Sequence, residues 1–180
     1  MKRRLFMLLC FFTAMALFPV VSLNFSSPAK TQKPQKDSAE AVCNAAYAFC
    51  DSGFCDEAIQ AVTDIINTNI HTGHAYTENK ISDKELYNRI LKGYNSKSEL
   101  LYTNGRILYI PVCKCSNGST QISDKYNYII SAASPWDCFS DNYGRENNCE
   151  GVSADGINYL CKNGFGKKEA LKWYLPGLSD

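Results

Sequence analysis

The spacing of hydrophobic residues is helical in the first third of the folded region. Apolar side chains recur at intervals of three and four between residues 56 and 70, which predicts a helix with one buried face. The Ala-rich segment that starts at Asp37 opens with the spacing of a capping box, so it predicts an earlier helix. A Ser-x-x-Glu spacing at Ser82 predicts the start of a third helix, which ends near Gly93.

The middle of the chain is rich in β-forming residues. Two such runs, 100–103 and 106–110, flank the pair Asn104-Gly105. An Asn-Gly pair between β-forming runs is a strong hairpin signal. A third run, residues 125–130, predicts a further strand.

Helical spacing returns in the last third of the chain. Residues 153–162 predict a helix that stops at Asn163-Gly164, and residues 167–174 predict a short helix closed by Pro176-Gly177. Helices followed by strands and then by helices favour an α+β fold over an alternating α/β fold. We therefore predict an α+β fold with helices at both ends around a small, mainly antiparallel β region.

The N-terminus, residues 1–23, predicts a targeting segment. The basic cluster Lys2-Arg3-Arg4 precedes residues 5–23, a run of 19 residues without a charge. The proline and small residues in this run favour a cleavable signal peptide, whereas its length favours an uncleaved membrane anchor. Because basic residues stay inside, either alternative predicts an extracytoplasmic protein, secreted or anchored to the membrane by residues 5–23.

The rest of the chain divides into a linker and one domain. Residues 24–36 are polar with two prolines, which is typical of a linker, and residues 37–180 are long enough for a single core. A composition that is 45% hydrophobic and 21% charged excludes wholesale disorder. A net charge of +1 argues against a nucleic-acid partner, because non-specific binding needs a clustered basic surface.

Several short motifs follow one another through this domain. They are Glu57-Ala58-Ile59-Gln60-Ala61, Asn104-Gly105, Ser116-Asn117-Gly118-Ser119-Thr120, Ser134-Pro135-Trp136-Asp137, Gly151-Val152-Ser153-Ala154-Asp155-Gly156 and Trp173-Tyr174-Leu175-Pro176-Gly177. In this order they resemble the SpoIID/LytB domain, the stage II sporulation protein D family. The resemblance extends over residues 42–177.

The resemblance implies a protein of the cell wall. Members of this family are membrane-tethered or secreted and act on peptidoglycan; the sporulation protein is a lytic transglycosylase, and others enhance a wall amidase. The implied partners are thus peptidoglycan or a wall hydrolase, with a link to sporulation. The implied substrate-binding candidates are Ser116, Thr120 and Ser153.

The sequence departs from the family pattern at the positions expected to do chemistry. Phe49 stands where the family has its catalytic glutamate, and a lytic transglycosylase needs a carboxylic acid to protonate the leaving group. Asp51, two residues later, is a weak candidate for that acid. Asn67-Thr68-Asn69 replaces an Arg-Thr-Tyr sequence, and Asn148 and Cys113 each replace a histidine. The resemblance therefore leaves open a degenerate transglycosylase and a modulator of wall hydrolases.

Cysteine usage adds a second line of interpretation. Eight cysteines follow the targeting segment, and an even number in an exported domain predicts disulfides, at least two of them. A zinc site of His71, His74, Cys113 and Cys115 is an alternative, since two cysteines and two histidines suit a structural metal. Buried free thiols are the third, and apart from zinc no cofactor is predicted.

These cysteines also support another class of function. An exported domain stapled by disulfides can serve as a structural or partner-binding module with no glycan activity. The wall-associated protein is the leading interpretation of the sequence, and this module is the alternative.

Overall fold

The structure of the protein, a computed structural model, describes residues 37–146 and 148–179. The predicted targeting segment, 1–23, and the predicted linker, 24–36, lie outside the described residues. Within the described part of the chain, no helix combines the length and apolar character needed to cross a membrane.

Helices open and close the described part of the chain, with short strands between them. The α-helices are α1 (Asp37–Tyr47), α2 (Asp56–His71), α3 (Lys84–Lys97), α4 (Ala154–Lys162) and α5 (Lys167–Tyr174). The strands are β1 (Tyr102–Thr103), β2 (Arg106–Ile107), β3 (Val112–Cys113) and β4 (Val152–Ser153), and a 3₁₀-helix spans Pro135–Phe139. This order confirms the predicted α+β fold with helices at both ends.

Helix α2 is the centre of the core. It packs against α1, α3, α4 and α5, so residues on most of its faces are buried. Its buried threonines avoid unpaired hydroxyls because Thr63 Oγ1 donates to the Ile59 carbonyl and Thr68 Oγ1 to the Asp64 carbonyl, each at 2.7 Å. The sequence predicted one buried face for this helix, and the structure buries most of its faces.

The start and end of α3 differ from the prediction. Its N-cap is Asp83, whose carboxylate accepts a hydrogen bond from the Leu86 amide at 3.0 Å, and not Ser82. The Ser82 hydroxyl is instead hydrogen-bonded to the phenol of Tyr47 at the end of α1. The helix also continues through Gly93 to Lys97, since Gly93 faces Ile59 of α2 and packing there stabilises the helical backbone.

The β region consists of one antiparallel hairpin and one parallel pair. Strands β1 and β2 pair with Thr103 opposite Arg106, and the turn residues Asn104 and Gly105 have φ of 52° and 72°. Positive φ at both turn positions is the signature of a type I′ turn, which confirms the predicted hairpin. Strands β3 and β4 run parallel, with Cys113 opposite Ser153.

The predicted strand at residues 125–130 is wrong. The Ser123 hydroxyl accepts hydrogen bonds from the amides of Lys125 and Tyr126, which closes a turn where the strand was expected. The rings of Tyr126 and Tyr128 pack in a row beside Tyr109, with centroids 5.2 and 5.7 Å apart between neighbours. These β-forming residues therefore pack through their side chains and do not pair in a β-sheet.

Residues that replace the family's Arg-Thr-Tyr sequence have structural contacts here. The Asn69 side chain accepts a hydrogen bond from the Ile110 amide and donates to the Ile110 carbonyl, both at 2.7 Å. The Thr68 hydroxyl accepts from the Leu101 amide at 2.9 Å. Both side chains are fully buried, so they tie the hairpin segment to α2.

A disulfide confirms the prediction that cysteines of this domain pair, although the described residues contain one such bond and not the expected two. Cys113 in β3 is bonded to Cys149, which lies just before β4, with the Cα atoms 5.4 Å apart. Cys115, two residues after Cys113, is a separate buried thiol, because positions two apart in extended backbone do not easily bridge each other. The bond therefore reinforces the parallel strand pair.

Candidate functional site

An open cleft of about 300 Å³ lies between the end of α1 and the face of α4. Residues 51–54 form one wall, residues 136–142 form another, and the exposed face of α4 completes it. The wall at 51–54 is a turn between α1 and α2, because Asp51 and Gly53 interrupt the helical spacing.

The polar part of the cleft is organised by Lys114. Its ammonium lies 2.9 Å from Asp51 Oδ2 and 3.9 Å from Asp155 Oδ1, and it donates to the Phe49 carbonyl at 3.0 Å. The same ammonium lies 4.8 Å from the centroid of the Phe54 ring. Since the Lys114 side chain is only 15% exposed, this network fastens the turn after α1 to the chain that follows β3.

Asp155 is the buried carboxylate of the site. It lies in the first turn of α4, where a negative charge is favoured by the helix dipole. Its Oδ2 accepts hydrogen bonds from the Ser140 hydroxyl and from Asn142 Nδ2, the latter at 3.0 Å. Asp155 is thus held in one orientation from both sides, by Lys114 and by the segment after the 3₁₀-helix.

Aromatic rings form the opposite part of the cleft. Trp136 and Tyr159 are stacked with centroids 5.6 Å apart and planes at 1°, and Phe139 stacks with Tyr159 at 6.0 Å and 14°. The Phe139 side chain is 76% exposed. An exposed ring stacked on half-buried ones, beside carboxylate and amide groups, offers an apolar face and hydrogen-bond partners together. This combination suits a ligand that has both characters, such as a sugar.

The structure places the candidate acid Asp51 in this cleft and Phe49 outside it. The Asp51 side chain is 53% exposed and paired with an ammonium, whereas a general acid must carry a proton. The Phe49 ring packs edge-on against Tyr76, with centroids 6.3 Å apart. Phe49 therefore contributes to packing, and the carboxylates that line the cleft are Asp51, Asp141 and Asp155.

The three predicted substrate-binding hydroxyls are buried and bonded within the domain. Ser116 donates to Asp137 Oδ2 through its amide and its hydroxyl. The Thr120 hydroxyl accepts from the Ala132 amide at 3.0 Å, and the Ser153 hydroxyl caps α4 by accepting from the Gly156 amide at 3.1 Å. Substrate binding by these residues stays a prediction; in this structure they join segments of the fold.

The predicted zinc ligands do not form one cluster. His71 and His74 are exposed near the end of α2, Cys113 is in the disulfide, and Cys115 is buried against the carbonyls of Ser116 and Asp137. Among the described residues, no three histidine, cysteine or acidic side chains are grouped so that they could hold a metal ion.

Two buried thiols near the site are poor nucleophiles. Burial raises the pKa of Cys50 to about 12, although nearby Lys114 opposes the shift. Burial also raises the pKa of Cys115 to about 12. Both are therefore protonated at neutral pH and act as small core residues.

Most of the cleft was missed by sequence reasoning. Lys114, Ser140 and Asn142 carried no motif, and they meet Asp155 only through tertiary packing. One signal was present: Asp155 and Tyr159 are four residues apart on one helix, so they share a face.

Comparisons with known proteins add no relative. No protein-family profile matches the chain. No curated protein is significantly similar to it.

Proposed function

We propose that this chain is an extracytoplasmic protein, similar to the SpoIID/LytB family, that binds the glycan strands of peptidoglycan in the cleft between α1 and α4. It is secreted or anchored to the membrane by residues 5–23 and presents the strand to a wall hydrolase. A link to sporulation follows from the same resemblance.

The aromatic stack beside Asp155 is the observation that carries this proposal. Trp136, Tyr159 and Phe139 present flat apolar faces, on which the apolar face of a pyranose ring can lie. Asp141, Asn142 and Lys162 line the same cleft and offer donors and acceptors for hydroxyl and amide groups. An open cleft also suits a polymer, because a strand can extend beyond both ends.

Binding fits this site better than efficient cleavage. Phe49 replaces the expected acid, and Asp51 and Asp155 share the ammonium of Lys114. Loss of a positioned general acid lowers a rate by about 10²–10⁴-fold. We therefore assign the chain the role of a binder or modulator, with at most weak transglycosylase activity.

We expect the full-length chain to sediment with purified peptidoglycan and to release few anhydro-muropeptides. The bound fraction is measured by centrifugation, with cellulose as a polysaccharide control, and the products are measured by mass spectrometry. The expected yield is roughly 10²-fold or more below that of an intact family transglycosylase.

An anhydro-muropeptide yield equal to that of the intact enzyme, abolished by Asp51→Asn, would overturn the assignment as a binder. Asp124→Asn, at an exposed position outside the cleft, is the matched control for the loss of one carboxylate. Failure to sediment with peptidoglycan would overturn the glycan proposal as a whole.

The Cys113–Cys149 disulfide favours a second candidate, a cysteine-stapled structural or partner-binding domain without glycan contact. The buried, internally bonded hydroxyls of Ser116, Thr120 and Ser153 agree with it. The two candidates differ in sedimentation. For the structural domain, we expect the fraction that sediments with peptidoglycan to equal the fraction that sediments with cellulose.

A further inference from the structure

Two further cysteines lie against each other beside the cleft. Cys55 is the N-cap residue of α2, in extended backbone, and Cys161 lies in the last turn of α4. The two side chains lie close enough for Cys55 to help raise the pKa of the Cys161 thiol, after the larger effect of burial. Both are free thiols in the structure.

The backbone also holds this pair together. The Cys55 amide donates to Asn158 Oδ1 at 3.0 Å. Asn158 precedes Cys161 by three residues, so the two side chains share a face of α4. The start of α2 is therefore fixed against the turn of α4 that carries Cys161, which keeps the two cysteines close to each other, as a disulfide requires.

We propose that Cys55 and Cys161 form a second disulfide, by exchange with an external disulfide, that fastens two walls of the cleft to each other. Residues 51–54, one wall, end directly before Cys55. Tyr159 and Lys162, which line the α4 side, flank Cys161. The bond links these segments covalently, whether or not a glycan binds between them.

The exchange proceeds in two steps. The thiolate of Cys55 attacks one sulfur of the external disulfide, which releases one thiolate and leaves a mixed disulfide. Cys161 then loses its proton and attacks Sγ of Cys55, which expels the second thiol. Two protein thiols are oxidised and one external disulfide is reduced to two thiols.

Burial sets the order of attack. It raises the pKa of Cys161 to about 12, so this thiol contributes little thiolate at neutral pH. Cys161 therefore acts second, when the mixed disulfide is already held beside it. We expect formation of the bond to accelerate as the pH rises from 7 to 9, because the second step requires deprotonation of Cys161, whose pKa is raised.

Thiol counting on the native full-length chain tests the proposal. The chain is incubated with oxidised glutathione, denatured, alkylated without reduction and weighed by mass spectrometry. Two disulfides leave five of the nine cysteines for alkylation. The oxidised chain is also expected to melt roughly 5–15 °C above oxidised Cys161→Ser.

Matched variants identify the pair. Cys161→Ser is expected to retain a single internal disulfide, with Cys55 free or joined to glutathione, and Cys55→Ser gives the reciprocal result. Cys43→Ser, which removes a buried thiol in α1, is expected to keep both disulfides.

Seven alkylated thiols in the treated wild-type chain would overturn the proposal. So would glutathione retained on both Cys55 and Cys161, or a second internal disulfide that survives in both serine variants at these positions. None of these outcomes depends on peptidoglycan, so they leave the proposed glycan binding to its own test.

Discussion

Gly156→Ala is expected to destabilise the domain by roughly 3 kcal/mol, because the added methyl group has no space. A Cβ at this position meets the phenol oxygen of Tyr174 and lies 2.6 Å from Ser134 Oγ and 2.9 Å from Asp137 Oδ1. Tyr174 is fully buried and hydrogen-bonded with Ser134 at 2.7 Å, so neither group can yield without losing that bond. Urea unfolding of the full-length chain measures the loss.

Gly93→Ala is the control for this substitution. Gly93 is also helical, but a Cβ there makes only an ordinary 4.0 Å contact with Ile59. Because alanine favours the helix more than glycine, we expect Gly93→Ala to leave stability unchanged or to raise it by up to about 1 kcal/mol. Equal unfolding midpoints for the two variants would contradict the close approach of α4 to Tyr174.

Lys167→Met is expected to lower stability by about 3–5 kcal/mol at pH 7, since it leaves a buried carboxylate without its cation. Lys167 Nζ lies 2.7 Å from Oδ2 of Asp64, whose side chain is completely buried in α2. The backbone amide of Glu99 donates a hydrogen bond to the other oxygen of Asp64, Oδ1, at 3.0 Å, but it carries no net charge to replace the lost ammonium.

The deficit of Lys167→Met is expected to shrink as the pH is lowered toward 4. Burial raises the pKa of Asp64 above its usual value even with Lys167 in place, although Lys167 and the Glu99 amide oppose the shift. At pH values just above the usual pKa of aspartate, the native state therefore binds more protons than the unfolded state. The free energy of unfolding then falls as the pH rises through this range. Removing Lys167 raises the pKa of Asp64 further, so this pH range extends to higher pH and the stability lost at pH 7 is largely regained at low pH.

Urea unfolding at pH 4 and pH 7 measures this dependence, with Lys168→Met as the control. Lys168 is exposed on the same helix, so its loss is expected to cost less than about 0.5 kcal/mol at either pH. A Lys167→Met deficit that is the same at both pH values would contradict the role assigned to Asp64.

Local signals predicted the helices and the hairpin well because their causes are local. Ser153 begins α4 as a cap, and Asn104-Gly105 adopts the positive φ angles that its composition favours. The strand expected at residues 125–130 failed because a hydroxyl at Ser123 closes a turn, and aromatic packing uses the same residues that a sheet would. Such competition depends on tertiary neighbours.

The G-x-S-x-x-G pattern, which supports the family resemblance, has a structural explanation. Gly151 has a φ of 75° and lies where a Cβ would meet the Pro111 carbonyl, and Gly156 lies against Tyr174. Ser153 caps the helix between them. The motif therefore specifies the passage from β4 into α4, and Asp155 is the residue of the motif that also lines the cleft.

The cleft itself could not be predicted residue by residue. It combines Asp51, Lys114, Asn142 and Asp155, which lie far apart in the sequence and meet through packing and through the Lys114 ion pairs. Phe49, the departure noted from the sequence, lies at the edge of this network, since its carbonyl accepts a hydrogen bond from Lys114.

Titration of the full-length chain with soluble, peptide-free glycan strands tests the central claim most directly. Trp136 lies in the cleft and is one of the two tryptophans of the chain, so tryptophan fluorescence reports occupancy. We expect saturable binding that weakens roughly tenfold in Tyr159→Ala, since a stacked ring contributes about 1–2 kcal/mol, and that is unchanged in Tyr102→Ala, an exposed tyrosine outside the cleft. No saturable change, or equal weakening in both variants, would contradict glycan binding in this cleft.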